Sequence, residues 1–140
     1  PRPVLDPAKL RELQARNRRV FVHHAIAEYV VRLVLATREP ARFGLVEVAR
    51  HLAYGASPRA TLGLVAAARG LALLRGRDYV VPDDVRELAT EVIAHRLVLS
   101  FDAVADGVSA ESVVDKLVDV VPPPHLAAGP DAELRGLAAA

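Results

Sequence analysis

The chain has 140 residues and a mass of 15.0 kDa, 52% hydrophobic against 25% charged with a mean hydropathy of +0.23, which fits one packed domain and excludes a disordered chain or a multidomain enzyme. It contains no Cys, so disulfides, zinc ribbons, iron-sulfur clusters and thiol catalysis are excluded, and its five His are too scattered for a familiar metal spacing. A formal charge of +1 excludes a polybasic surface, and 4% aromatic residues in a chain rich in Ala, Val and Leu favour close-packed helices over a sandwich or a base-stacking platform.

Asp6-Pro7 predicts a helix start, with the aspartate as N-cap, the proline at the first helical position, Leu10 and Leu13 on one side, and an end near Arg16. Arg11, Arg16, Arg18 and Arg19 make a basic face, read as solvated in preference to a contact for nucleic acid or a partner. Val20-Phe21-Val22 is β-branched and aromatic and predicts a short extended piece. Ile26, Tyr29, Val30, Leu33 and Val34 recur at helical spacing and predict a helix over 24–37, stopped by Glu39-Pro40. His23 and His24 read as a cap and a surface residue, because adjacent helical positions point apart and cannot share a metal. Residues 41–56 hold Gly44 and Gly55 and predict a loop with a short helical turn near 45–52.

Ser57-Pro58 repeats the cap-plus-proline start and opens a helix that runs through Arg75 and ends at Gly76. One stripe holds Ala60, Leu64, Ala67, Leu71 and Leu74, another Leu62, Val65 and Ala72, and a third the small residues Gly63, Ala66 and Gly70. Apolar nearly all round, this helix is predicted to be central, with neighbours on every side. Arg75-Gly76-Arg77-Asp78 reads as a helix-ending turn with cations at the favourable terminus. Tyr79-Val80-Val81 is a second extended piece, able to pair with 20–22 as a minor two-strand bridge. Pro82-Asp83-Asp84 then opens a helix with capping negative charge in its first turn, a buried face of Val85, Leu88, Ala89 and Val92, and an end at His95-Arg96. Residues 97–101 are either extended or a continuation, Gly107 breaks the chain, and Ser109 caps a last helix carrying Val113, Val114, Leu117 and Val121 up to Pro122-Pro123-Pro124. The fold class read from these elements is all-α: a bundle of four to five helices in residues 1–124, with 125–140 a linker or tail.

Catalytic motifs are missing. A phosphate-cradling P-loop needs Gly-Lys followed by Ser or Thr, yet Lys9 follows Ala8 and Lys116 follows Asp115. There is no acidic pair closing a hydrophobic strand to hold magnesium and no Gly-x-Ser-x-Gly elbow, so the chain is expected to catalyse nothing by itself. Beginning at Pro1 and lacking Met throughout, it reads as a piece of a larger protein. No apolar run approaches the roughly 20 residues of a membrane span and no leader opens the chain, which together predict a cytoplasmic setting without membrane contact.

Arg59 is the odd residue. It follows Pro58 in the first turn of an apolar helix, where the positive end of the dipole disfavours a cation by a few tenths of a kcal/mol to about 1 kcal/mol. On geometry alone the side chain either reaches solvent or a nearby carboxylate, the favoured reading, or joins free backbone N–H groups in holding an anion whose oxygens match its planar fork.

The run YGASPRATLGLVAAARGLALLRGRDYVVPDDV at 54–85, followed by AHRLVLSFDA at 94–103, closely resembles the C-terminal helical lid of MoxR-family AAA+ ATPases. VFVHHAIAEYVVRLVLATREPAR at 20–42 and DGVSAESVVDKLVDVVPPP at 106–124 are similar to that family as well, so the resemblance covers roughly 5–124. It implies that Arg59 is the sensor-two arginine, reaching the γ-phosphate of ATP bound in a preceding α/β core domain, and that Gly55, Ala56 and Ser57 lie at the nucleotide edge. It further implies ATP and magnesium as cofactors of the complete protein, with none bound by this chain alone. The phosphate loop, magnesium carboxylates and arginine finger would belong to the core. The partners it implies are that core, neighbouring subunits of a ring and a von Willebrand A-type protein, in a chaperone-like remodelling or maturation of protein complexes. Val81 departs from the family, standing where a Thr cap is usual, a loss of about 1 kcal/mol of capping. Two other classes stay open: a nucleic-acid-binding module using the Arg11 to Arg19 face, against which the near-neutral charge speaks, and a protein-assembly module docking by its apolar surface.

Overall fold

Asp6 starts the first helix as its side chain predicts: Oδ1 accepts the Lys9 N–H at 2.7 Å, with Pro7 in the first turn. The computed structural model describes residues 4–125, and the expected linker or tail beyond His125 lies outside the described residues. Helix α1 (Pro7–Arg19) runs a turn past its predicted end, its last turn carrying Arg16, Arg18 and Arg19 where the dipole favours cations. It lies on the outside of the molecule and buries none of its residues. The chain then extends: the Phe21 N–H donates to Asp78 O at 2.7 Å and the Val80 N–H to Phe21 O at 3.0 Å, forming the predicted bridge as a parallel Phe21–Tyr79 pair.

Helix α2 (His24–Arg38) is the main core element, burying Ile26, Tyr29, Val30, Leu33 and Val34 at the predicted spacing. His23 caps it through Nδ1, which accepts the Ala25 N–H at 3.1 Å. A 3-10 turn at Pro40–Phe43, closed by left-handed Gly44, leads into α3 (Val46–His51) and then β1 (Leu52–Tyr54). β1 pairs antiparallel with β2 (Val98–Leu99), so the 97–101 segment is extended. This small sheet, absent from the sequence reading, is two to three residues per strand, too short for alternation to register. His51, buried on α3, binds Asp106 through Nε2 at 2.9 Å and fixes α3 to the end of α6 (Phe101–Ala105), a five-residue helix capped by Ser100.

Helix α4 (Arg59–Leu74) differs from its prediction. It is not surrounded: only Ala60, Leu64, Ala68 and Ala72 are buried, while Leu62 is 73% and Leu74 86% exposed. The buried row follows an i+4 ridge, and the neighbouring Gly63 face meets α5 (Pro82–Ile93), where a Cβ on Gly63 would lie 3.6 Å from Val92. Ser57 also makes no side-chain cap. Pro58 is already helical at φ −54°, ψ −23°, and the Ser57 carbonyl, not its hydroxyl, takes the Ala60 N–H at 2.8 Å. Helix α5 buries Val85, Ala89 and Ile93, with Leu88 and Val92 only partly covered. After a 3-10 turn at Ala94–Arg96 and left-handed Gly107, Ser109 caps α7 (Ala110–Val120) by accepting the Ser112 N–H at 3.1 Å, and Val113, Val114, Leu117 and Val121 close the core. The described residues thus form an all-α bundle of seven helices, the five longer ones those predicted, and none is long and apolar enough to cross a membrane.

Candidate functional site

The segment carrying Arg59 is held by the last turn of α2. Thr37, buried there, donates its hydroxyl proton to Val34 O at 2.6 Å and accepts the Ala56 N–H on Oγ1 at 2.9 Å, so both capacities of one hydroxyl join the loop to the helix. Gly55 lies so close that a Cβ built on it would sit 2.2 Å from the Thr37 carbonyl oxygen, a contact no side chain can make. Ala56 is fully buried. Exchanging Thr37 for valine keeps the shape and leaves the Ala56 N–H without an acceptor; a thermal melt should register a loss of about 2 kcal/mol.

Beyond this clamp the chain emerges. Ser57, Pro58 and Arg59 are exposed, Gly55 is half-buried and Ala56 is inside, so of the three residues assigned to a nucleotide edge only Ser57 faces outward beside Arg59, while Gly55 and Ala56 position them. The expected free N–H groups are partly spent: those of Ala60 and Thr61 donate to Ser57 O and Pro58 O. What the helix start presents is therefore the Arg59 guanidinium itself, and no hydrogen bond or ion pair ties it to another described residue. Five donors and no acceptor suit an oxyanion such as a phosphate and cannot ligate a metal cation. No group of three potential metal-ligating side chains occurs among the described residues.

A second cluster, which the sequence reading recognised only in part, lies at the other end of α4. Asp84, placed by sequence as a capping residue, does accept the Val81 N–H at 2.9 Å, the half of a capping box that survives without a hydroxyl at Val81. It is also fully buried and gripped by Arg77, at 2.5 Å and 2.8 Å, and by Arg75 at 3.2 Å, while Arg75 reaches on to Glu87 at 2.6 Å. Burial pushes the Asp84 carboxyl up, but the Arg77 guanidinium, the Val81 N–H and Arg75 outweigh it and hold it below the usual carboxylate range. Gly76, left-handed at φ 72°, makes the turn that folds both arginines back onto α5. The paired basic positions flanking a glycine were the available signal. The α1 arginines Arg11, Arg16, Arg18 and Arg19 are all exposed, and Arg16 and Arg19 line a cleft of about 520 Å³ beside Asp78.

Comparison with known proteins places this geometry. The AAA lid domain family model matches residues 46–117, half of the chain. The chain belongs to the AAA lid domain family. The lid is 51% identical over 125 residues to chaperone MoxR1 of Mycobacterium tuberculosis, covering 89% of this chain and 32% of that protein. It is 45% identical over 80 residues to protein MoxR of Paracoccus denitrificans, covering 54% of this chain and 24% of that one. The crystal structure of a Cytophaga hutchinsonii protein assigned as an ATPase superposes with a TM-score of 0.82 at 32% identity, over 84% of this chain and 36% of that chain. The lid therefore spans between about a quarter and about a third of the length of these relatives, and its resemblance to the MoxR-type lid is upheld.

Proposed function

We propose that the lid senses nucleotide for a MoxR-type AAA+ ATPase, with Arg59 as the sensor-two residue. The observation that carries this reading is an exposed guanidinium, without a partner among the described residues, at the start of a helix whose approach is clamped by Thr37 and Gly55. A clamped approach removes backbone freedom before any ligand arrives, so little ordering entropy remains to oppose binding. ATP supplies a γ-phosphoryl group that is present before hydrolysis and gone afterwards. Arg59 discriminates those two states because its charge-assisted hydrogen bonds form only with the first, and a ligand shifts a conformational equilibrium only by its preference for one state. Gly55 and Ala56 position the loop, and Ser57 lies at its outer edge.

In this reading the lid acts on a core domain that holds ATP and magnesium and on neighbouring subunits of a cytoplasmic ring, which remodels or matures protein complexes with a von Willebrand A-type partner. The lid catalyses nothing by itself. Replacing Arg59 with alanine in the full-length protein is expected to slow ATP hydrolysis by ten- to a hundredfold, the size of a lost charge-assisted bond of about 1.5–3 kcal/mol. The thermal midpoint should stay put, because the side chain is exposed. Unchanged turnover together with unchanged nucleotide affinity would overturn the assignment.

A further inference from the structure

The Gly55 contact brings a second cation to the Arg59 loop. The Cβ that Gly55 lacks would sit 2.8 Å from the Cα of Arg38, so the last residue of α2 is pressed directly against the loop. Arg38 is exposed and lines a cleft of about 350 Å³ together with Gly55, Ala53 and Arg42. Its neighbours in that cleft are internally neutralised, since Arg42 is bound to Glu39. No ion pair or hydrogen bond links the Arg38 guanidinium to another described residue. The dipole of α2 explains a cation in its last turn; it does not explain a glycine-dependent contact that sets this cation against the loop bearing the other.

From Gly55 to Arg59 is four residues, at most about 14 Å along the chain. Two long cationic side chains rooted within that span, both open to solvent, can grip one extended polyanion at two points. We infer that Arg38 is a further anion-binding residue of the lid, contacting the part of the nucleotide polyphosphate that ATP and ADP share, while Arg59 takes the terminal phosphate. This rests on the nucleotide-sensing reading and adds a residue to the same site.

The test measures binding of ADP and of a non-hydrolysable ATP analogue to full-length protein carrying Arg38→Gln, Arg38→Lys or Arg59→Ala, with thermal midpoints as the control for folding. Arg38→Gln is expected to weaken both ligands by about tenfold and equally, Arg38→Lys to keep most of the affinity, and Arg59→Ala to weaken the analogue alone. Unchanged affinity of Arg38→Gln for both ligands overturns the role of Arg38 and leaves Arg59 standing if its own variant loses the analogue. A loss in Arg38→Gln beside a silent Arg59→Ala sustains the Arg38 contact and overturns the terminal-phosphate sensor. A loss confined to the analogue in Arg38→Gln overturns the division of labour between the two arginines.

Discussion

Replacing Gly55 with alanine is expected to lower the unfolding free energy by about 3 kcal/mol, at the upper end of ordinary overpacking, because the new methyl would sit 2.2 Å from the Thr37 carbonyl oxygen and 2.5 Å from its carbon. Neither neighbour can rotate away, since both are backbone atoms inside a helical turn whose hydroxyl is already committed to Val34 and Ala56. For a domain of this size the thermal midpoint should fall by about 10 °C or more. Relief by moving the loop would shift Ser57 to Arg59 away from α2, so the same substitution in full-length protein should also weaken discrimination between ATP and ADP. A melt within about 2 °C of the parent would show that the loop is not clamped as described.

Asp84→Asn removes the charge from a carboxylate that is wholly buried between two guanidiniums, and should lose about 3 kcal/mol. Arg77 is the more affected partner, being 22% exposed with two of its nitrogens on Asp84. The sign of the pH dependence follows from the lowered carboxyl. Its stabilisation is fully present above the unfolded value near 3.8 and disappears as pH falls through the lower folded value. Urea unfolding at pH 7 should therefore separate parent and variant by the full amount, and the gap should narrow only below about pH 4. A gap that stayed constant down to pH 2 would mean that the cluster stabilises through shape and not through charge.

Local chemistry made much of this fold legible. Asp6, His23 and Ser109 mark helix starts because their side chains act on N–H groups two or three residues away, and Gly76 ends its helix at the positive φ expected of it. The burial of α4 was not legible, since alanine and leucine are both apolar and only the packing of the neighbouring helices decides that the 60-64-68-72 row faces inward. The same holds at the two clusters. Asp84 was readable as a cap, a relation over three residues, but its grip by Arg75 and Arg77 depends on the turn between two helices. Arg59 could be picked out as a cation at the wrong end of a dipole; Thr37 and Arg38 could not, because what they do depends on the tertiary approach of the 55–59 loop.

The sixteen residues of α4 are about 24 Å long, with Arg59 at one end and the Arg75–Asp84–Arg77 knot just past the other. Its side toward α5 includes Gly63, where a Cβ would lie 3.6 Å from Val92, so the two helices approach closely. The helix pair is thus a stiff lever arm: a sub-ångström tug on its tip cannot be absorbed along its length and must emerge as rotation of the whole body, with the largest travel farthest from the tug.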